Sequence, residues 1–292
     1  MGHADSFQTQ SALRAMLEAA GRRPDRRLGQ NFLIDRNLMM KLVEAAEIGE
    51  RDVCLEVGAG MGSLTGLLAN RAGAVVAVEI DPHLAEVATA NLGELGNVTL
   101  LNLDALSRKS LVEPEVIEAV RRKAKETGGA IKLVANLPYD IATSLVVNLL
   151  VGELPIERFC FTVQKEVAER FMARAGSREY GPVSVVCSVF TTAHRICQAP
   201  AQAFWPRPKV SSTMLLLQRR PRSEIAIHEP PDFARFVRGF FLHRRKTLGH
   251  IARTLPESDK IAAALCEIPI EPRHRPEDLS PDEWVRLYNQ SR

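Results

Sequence analysis

The hydrophobic pattern of the first half of the chain predicts strands and helices in alternation. Apolar runs rich in Val, Leu and Ile lie at residues 53–57, 74–80, 98–103 and 131–135. Such runs are typical of strands that are buried on both faces of a sheet. Helical patterns separate them, as at residues 82–92. The alternation predicts an α/β fold with a doubly wound, mostly parallel sheet.

The second half of the chain continues this pattern and then changes. Residues 159–163 and 213–218 are predicted to be strands, and the apolar run 183–190 is predicted to be a long buried strand. After residue 220, apolar residues recur at the spacing of a helix, in the stripe Phe233, Phe236, Val237, Phe240 and Phe241. We therefore predict three regions: a basic N-terminal extension (1–27), an α/β domain (28–219) and a small all-helical domain (220–292).

Composition and charge exclude several classes of protein. The 292 residues carry a net charge of +3, which permits a nucleic-acid partner without requiring one. Five scattered cysteines form no C-x-x-C pair, so neither a disulfide framework nor a metal site is expected. No apolar run approaches the length of about 20 residues that spans a membrane. Arg14 and Glu18 interrupt residues 11–20, so a secretory signal is not expected there. We expect a cytoplasmic protein with no membrane partner.

Three glycines at alternate positions form the first informative motif. Gly58, Gly60 and Gly62 join the apolar run 53–57 to a helical pattern, as expected where the backbone bends sharply and approaches a ligand. A dinucleotide site would show G-x-G-x-x-G, whereas this chain has E-x-G-x-G-x-G from Glu56. That spacing resembles the S-adenosylmethionine loop of class I methyltransferases. Another nucleotide ligand and a purely structural turn are the alternatives.

Acidic residues end three successive predicted strands. Glu56, Glu79 and Asp104 lie at the carboxyl ends of these strands. Ligands of doubly wound folds bind at that edge of the sheet, so the three acids are expected to converge on one crevice. Glu79 is well placed to accept hydrogen bonds from two ribose hydroxyls.

The sequence Asn-Leu-Pro-Tyr at residues 136–139 follows the next predicted strand. An adenine amine is a poor nucleophile because its lone pair is delocalised into the ring. Hydrogen bonds from that amine to the Asn136 side-chain oxygen and the Leu137 carbonyl would favour the pyramidal nitrogen that attacks a methyl group. Pro138 fixes the backbone, and Tyr139 offers a face on which an extruded base can stack. The alternative is an ordinary turn after a strand.

A rigid aromatic and basic loop at residues 204–210 supplies a second candidate base contact. Phe204 could form the other face of a base sandwich, or it could be a core residue beside a proline turn. Basic residues in this loop and after the apolar stripe could contact phosphates, and a solvated helix end is the alternative for the second cluster. These candidate RNA contacts are Arg207, Lys209, Arg244, Arg245 and Lys246.

Together these motifs resemble the ribosomal RNA adenine N6,N6-dimethyltransferase family. The similarity covers nearly all of the chain after residue 27. It is carried by L-G-Q-N-F-L at 28–33, E-V-G-A-G-M-G-S-L-T at 56–65, V-E-I-D at 78–81, D-A-L at 104–106, N-L-P-Y at 136–139, Q-K-E-V-A-E-R at 164–170, F-W-P-R-P-K-V at 204–210 and R-R-K-T-L at 244–248. One departure is a segment at 113–129 that is longer than usual for the family.

The resemblance implies the roles of individual residues. Asn31 and Leu33 would close over the methionine end of S-adenosylmethionine, and Asp104 would bind its adenine amine. The remaining roles fall to Gly58 (methionine and ribose), Glu79 (ribose hydroxyls), Asn136 (cofactor and target amine), and Tyr139 with Phe204 (target base). S-adenosylhomocysteine would be the product.

The resemblance also implies a substrate. The bacterial members of the family dimethylate two neighbouring adenines near the 3′ end of small-subunit (16S) rRNA, so the expected partner is the immature small subunit (pre-30S particle), bound by a monomer. One alternative is an erythromycin-resistance type methyltransferase acting on large-subunit rRNA. Another is a factor for ribosome assembly or transcription that uses the same fold without catalysis.

Overall fold

The computed structural model describes residues 10–19, 24, 29–93, 95–108 and 111–292 of the chain. The elements of the first half are α1 (Gln10–Ala19), β1 (Phe32–Leu33), α2 (Arg36–Ala45), β2 (Val53–Val57), α3 (Ser63–Ala69), β3 (Ala74–Glu79), α4 (Pro82–Leu92), β4 (Val98–Asn102), β5 (Leu106–Arg108), β6 (Leu111–Val112), α5 (Pro114–Thr127) and β7 (Ile131–Asn136).

The second half begins with α6 and ends in a series of short helices. Its elements are α6 (Ala142–Val151), β8 (Ile156–Gln164), α7 (Lys165–Phe171), α8 (Pro182–Phe190), β9 (Thr191–Ala199), β10 (Phe204–Trp205), β11 (Ser212–Arg219), α9 (Pro230–Phe241), α10 (Leu248–Ala252), α11 (Ser258–Glu267) and α12 (Pro281–Gln290). Every helix among the described residues is too short or too polar to span a lipid bilayer.

A seven-stranded sheet in the order β4-β3-β2-β7-β8-β11-β9 confirms the predicted α/β fold. The strands from β4 to β8 pair in parallel, and β11 runs antiparallel to β8. Every residue of β2 and β3 is buried, as their apolar composition predicts. The chain order reverses between β2 and β7, and the carboxyl ends of those two strands therefore border the crevice where doubly wound folds bind ligands.

The chain divides into two compact units. The first comprises residues 1–149, 153–168 and 194–218, and contains most of the sheet. The second comprises residues 150–152, 169–193 and 219–292. In the second unit the predicted apolar stripe of α9 is packed into an aromatic cluster. The rings of Phe233, Phe236, Phe240, Trp284 and Tyr288 meet edge to face or at a tilt, with ring centroids 5.2–6.4 Å apart.

The run at residues 183–190, predicted to be a strand, is the helix α8. The prediction was wrong because a short run of buried β-branched residues shows no periodicity that separates a strand from a buried helix. Pro182 occupies the first turn, and the Gly181 N–H donates to the Ser184 hydroxyl at 3.0 Å, which starts the helix. Phe190 meets Phe233 of α9 edge to face. Residues 169–193 therefore pack with the second unit, whereas the sequence assigned them to the domain 28–219.

The described part of the N-terminal extension is helical. On α1, Leu13 and Leu17 are buried against Met61 and Leu84 of the first unit. The prediction of a basic extension had included neither a helix nor buried leucines in this stretch. The rest of residues 1–27, apart from residue 24, lies outside the described residues, as does Leu28.

Candidate active site

The glycine-rich turn between β2 and α3 packs directly against the Asn-Leu-Pro-Tyr segment. Gly58, Gly60 and Gly62 have φ angles of +82°, +57° and +87°, in the left-handed region that favours glycine. The N–H of Gly58 donates to the Val78 carbonyl at 2.9 Å. A Cβ atom at Gly58 would lie 3.1 Å from the Pro138 ring. Because glycine has no Cβ atom, the turn can pack directly against the segment 136–139.

Two of the three predicted acids line one cleft beside this turn. The Glu79 carboxylate accepts hydrogen bonds from the N–H groups of Gly60 (2.7 Å) and Asp81 (2.9 Å). Burial raises the pKa of Glu79, and these backbone hydrogen bonds oppose the shift. Asp104 is exposed, and one of its oxygens accepts from the Leu106 N–H at 2.9 Å. Each carboxylate retains acceptor capacity beyond these bonds.

Glu56, the third acid, lies in an adjacent smaller cavity of about 410 Å³. Its carboxylate accepts a 2.6 Å hydrogen bond from the Thr65 hydroxyl, and burial raises its pKa to about 8. The cleft and the smaller cavity share Phe32, Gly58, Gly60 and Asn136 in their walls. The acids thus converge on two neighbouring spaces, whereas the sequence predicted a single crevice.

Asn136 is the last residue of β7. Its side-chain nitrogen has a hydrogen-bond partner, and its side-chain oxygen has none among the described residues. Its Nδ2 donates to the Asn31 carbonyl at 2.8 Å. Its Oδ1 is buried and has no hydrogen-bond partner among the described residues. A buried amide oxygen without a partner destabilises a folded protein by about 1–3 kcal/mol, so a donor from a ligand is expected there.

The next three residues complete this side of the cleft. Leu137 is buried, Pro138 packs on the glycine turn, and Tyr139 is partly buried. The Tyr139 phenol lies 2.6 Å from the hydroxyl of Ser212, on β11. Burial raises the pKa of Tyr139, so the phenol stays protonated at neutral pH.

The cleft encloses about 790 Å³ of space, part of which is open to solvent. Eight predicted site residues line it: Asn31, Gly58, Glu79, Asp104, Asn136, Leu137, Pro138 and Tyr139. Leu33 lines the smaller cavity instead. A cleft that combines a narrow glycine cradle, carboxylates and a buried acceptor fits S-adenosylmethionine, which carries an amine, two ribose hydroxyls and an adenine.

Phe204 is placed differently from its predicted role. It is only 1% exposed, pairs with Leu33 through the β1–β10 ladder and packs in the core of the first unit. It does not line the cleft, so a base sandwich with Tyr139 stays a prediction. Its neighbour Trp205 stacks on Phe32 with ring centroids 6.2 Å apart.

Sequence reasoning did not single out Phe32 or Ser212. Phe32 lines the cleft, and a Cβ atom at Gly60 would lie 3.2 Å from its ring. The position of Phe32 within the motif at 28–33 was the available signal. Nothing in the local sequence marks Ser212, because only the pairing of the sheet brings it to Tyr139.

The predicted RNA contacts fall into two groups. Arg207 and Lys209 are exposed residues of the first unit. In the second unit, Arg245 and Lys246 are exposed. Arg244, by contrast, forms an ion pair with Glu277 and donates to the Arg178 carbonyl at 2.9 Å. Its guanidinium is thus engaged within its own unit.

Comparisons with known proteins agree with this geometry. Ribosomal RNA small subunit methyltransferase A of Pediococcus pentosaceus is 38% identical over 281 residues, which cover 94% of this chain and 92% of that protein. The protein of the same name from Bacillus cereus strain B4264 is 36% identical over 267 residues, which cover 90% and 89%.

Two solved structures share the fold. A dimethyladenosine transferase from Plasmodium falciparum has a TM-score of 0.70 at 22% identity, covering 88% of this chain and 97% of that one. The 23S rRNA methyltransferase ErmE has a TM-score of 0.62 at 24% identity, covering 89% and 98%. These likenesses and the parallel sheet confirm the predicted class I methyltransferase fold.

The family described as ribosomal RNA adenine dimethylase matches residues 22–291, which is nearly the whole chain. The chain therefore belongs to the ribosomal RNA adenine dimethylase family, whose class I methyltransferase fold uses S-adenosylmethionine.

Proposed function

We propose that this protein dimethylates the N6 amines of two adjacent adenosines near the 3′ end of small-subunit rRNA during maturation of the subunit. The observation that carries the proposal is that Asn136, which lines the cleft, has a buried Oδ1 without a hydrogen-bond partner among the described residues. The relatives at 36–38% identity, which are named as small-subunit rRNA methyltransferases, support this choice of substrate.

The end of β7 would bind the target amine. Asn136 Oδ1 and the Leu137 carbonyl would each accept one N–H of the amine, and so favour the pyramidal nitrogen. The bond from Asn136 Nδ2 to the Asn31 carbonyl fixes the amide so that its oxygen, and not its NH₂ group, remains available. Catalysis would thus consist of positioning and electrostatic stabilisation.

S-adenosylmethionine would supply an electrophilic methyl group bound to a sulfonium. Glu79 and Asp104 would hold the ribose and the adenine, with Gly58 and Asn31 beside the methionine end. The amine nitrogen becomes acidic only after it has gained the methyl group, and then releases its proton. No side chain of the cleft needs to act as a general base for the attack.

The proposed substrate gives the protein its partner and location. The protein would act on immature small subunits, as a monomer in the cytoplasm. S-adenosylhomocysteine would leave after each transfer. Action on large-subunit rRNA is the competing function, since ErmE shares the fold.

The test uses small subunits from cells that lack this protein. They are incubated with the purified protein and labelled S-adenosylmethionine, and the rRNA is mapped by mass spectrometry. We expect two adjacent N6,N6-dimethyladenosines near the 3′ end. Label in large subunits instead would support the competing function, and cofactor binding without transfer to either subunit would indicate a non-catalytic factor.

Two variants assign the roles within the cleft. Tyr139→Ala should weaken RNA binding and leave the affinity for S-adenosylmethionine near that of the wild type. Glu79→Ala should lower the affinity for S-adenosylmethionine and leave RNA binding intact. A Tyr139 variant that loses cofactor affinity, or a Glu79 variant that keeps it, would contradict these roles.

A further inference from the structure

Ser212 is a buried hydroxyl residue next to the cleft that forms none of its walls. It is the first residue of β11 and is fully buried. Its Oγ lies 2.6 Å from the Tyr139 phenol oxygen, a short distance for a hydrogen bond between hydroxyls. It is not among the residues that line the cleft, so a role for Ser212 would be exerted through Tyr139.

The sheet fixes where this hydroxyl lies. Ser212 pairs with Gln164 of β8, and Thr162 of the same strand pairs with Asn136. Three adjacent strands therefore set the distance between Ser212 and the end of β7. A loop residue would not hold its partner as rigidly.

A hydrogen bond at the end of a tyrosine ring restricts the whole side chain. The ring turns about two side-chain torsions, and its phenol oxygen is the atom farthest from the backbone. The phenol oxygen lies on the axis of the second torsion, so tethering it restricts the first torsion and thereby the position of the ring. The phenol O–H bond lies near the plane of the ring, so a partner in a fixed position also favours one orientation of that plane. Stacking of a base depends on that plane, because only one orientation presents the π-face to the cleft.

We propose that Ser212 is a positioning residue: its hydroxyl holds the Tyr139 ring in the orientation on which the target adenine stacks. Ser212 would raise the affinity for RNA without touching either substrate. This inference rests on the proposed function, since it assumes that a base binds against Tyr139.

The first test is a double-mutant cycle with Ser212→Ala and Tyr139→Phe, measured with small subunits as substrate. Loss of one hydrogen bond should raise the KM for RNA by about three- to tenfold and leave the KM for S-adenosylmethionine unchanged. Tyr139→Phe removes the same bond, so the two changes should not add. Effects that add fully would show that Ser212 acts elsewhere and would overturn the proposal.

Two further variants separate positioning from a general loss of structure. The neighbouring Ser211 is exposed, and Ser211→Ala should behave as the wild type. Ser212→Thr keeps the hydroxyl and should restore the KM for RNA relative to Ser212→Ala. A rise in both KM values together with a lower melting temperature would indicate a structural role only.

The second test is independent of methyl transfer. The chain has three tyrosines, so a protein labelled with ¹³C at the tyrosine ζ position gives three resonances. Tyr139→Phe assigns one of them, and Ser212→Ala should shift that resonance and leave those of Tyr180 and Tyr288 unchanged. An unshifted Tyr139 resonance would overturn the inference, even if the protein proved inactive on small subunits. If the resonance shifted but the protein were inactive on small subunits, the hydrogen bond between Ser212 and Tyr139 would be supported and the proposed function would be contradicted.

Discussion

The end of β7 and the basic segment at residues 243–246 were both identified from motifs, but they differ in whether their polar side-chain atoms have hydrogen-bond partners. At the end of β7, Asn136 keeps a buried oxygen without a partner among the described residues. In the basic segment, Arg244 is engaged by Glu277 and the Arg178 carbonyl. A motif locates a residue, but only its contacts show whether its polar atoms are available to a ligand.

The difference has a physical cause. A buried acceptor without a partner lowers the stability of the fold, so its presence favours a role in binding. An arginine that bridges two segments of its own unit stabilises that unit instead. Within the basic segment, the exposed Arg245 and Lys246 are therefore the better candidates for phosphate contacts.

The largest expected effect is that of Asn136→Ala. Removal of one preorganised group that stabilises a transition state lowers kcat by about 10²–10³-fold in other enzymes, and we expect a similar loss of methyl transfer. Single-turnover kinetics with small subunits measure it.

Asn97→Ala is the matched control for Asn136. The Asn97 amide donates to the carbonyls of Ala69 and Ala72, before the start of β4 and away from the cleft. The control should lower the free energy of unfolding by about 1–2 kcal/mol and leave kcat unchanged. If both variants lost stability and kcat alike, Asn136 would be a structural residue.

The next effect concerns Glu56 and pH. Its pKa is about 8 in the folded protein, against 4.5 for the ordinary carboxyl, so between these values only the folded state holds the proton. The protonated Glu56 therefore stabilises the folded state. Its contribution to the free energy of unfolding is complete below about pH 4.5 and is lost as the pH rises through 8, by at most about 1.4 kcal/mol per pH unit. Urea unfolding at several pH values should show this slope in the wild type and a smaller one in Glu56→Gln.

Glu166→Gln controls for the loss of any one carboxylate. Glu166 is exposed on α7, so its replacement should change the free energy of unfolding by less than about 0.5 kcal/mol. An unchanged slope in Glu56→Gln would show that Glu56 is ionised when buried.

A smaller effect separates the two arginines of the basic segment. Arg245→Ala should reduce the slope of log K against log salt for RNA binding by nearly one, as for one phosphate contact, without changing stability. Arg244→Ala should lower the free energy of unfolding by about 1 kcal/mol, because its ion pair is partly exposed to solvent. Equal salt slopes in the two variants and the wild type would place the segment away from the RNA.

The smallest effect is expected in α5, part of the long segment at residues 113–129. Arg122 is exposed and lies 4.0 Å from Glu126. Arg122→Ala should change stability by less than about 0.5 kcal/mol and leave the salt slope of RNA binding unchanged. A slope lower by about one would instead make α5 a contact with the ribosome.

Sequence reasoning predicted the parallel core strands because burial on both faces leaves an unbroken apolar run. It predicted α4 at residues 82–92 with both ends correct, because Pro82 and Gly93 mark them. It failed at α8, where the largely apolar run at residues 183–190 suits a strand and a buried helix equally. It also missed the burial of Leu13 and Leu17, because the residues that cover them are distant in the chain.

The sequence by itself determined the fold class, the glycine turn and the chemistry of residues 136–139, since each depends on residues adjacent in the chain. Only the tertiary structure decided how the candidate residues are placed and which of their polar atoms have partners. It pairs Arg244 with Glu277, buries Phe204, places Glu56 in a different cavity from Glu79 and brings Ser212 to Tyr139. Hydrogen bonds and packing between distant segments depend on strand order and register, which local patterns do not specify.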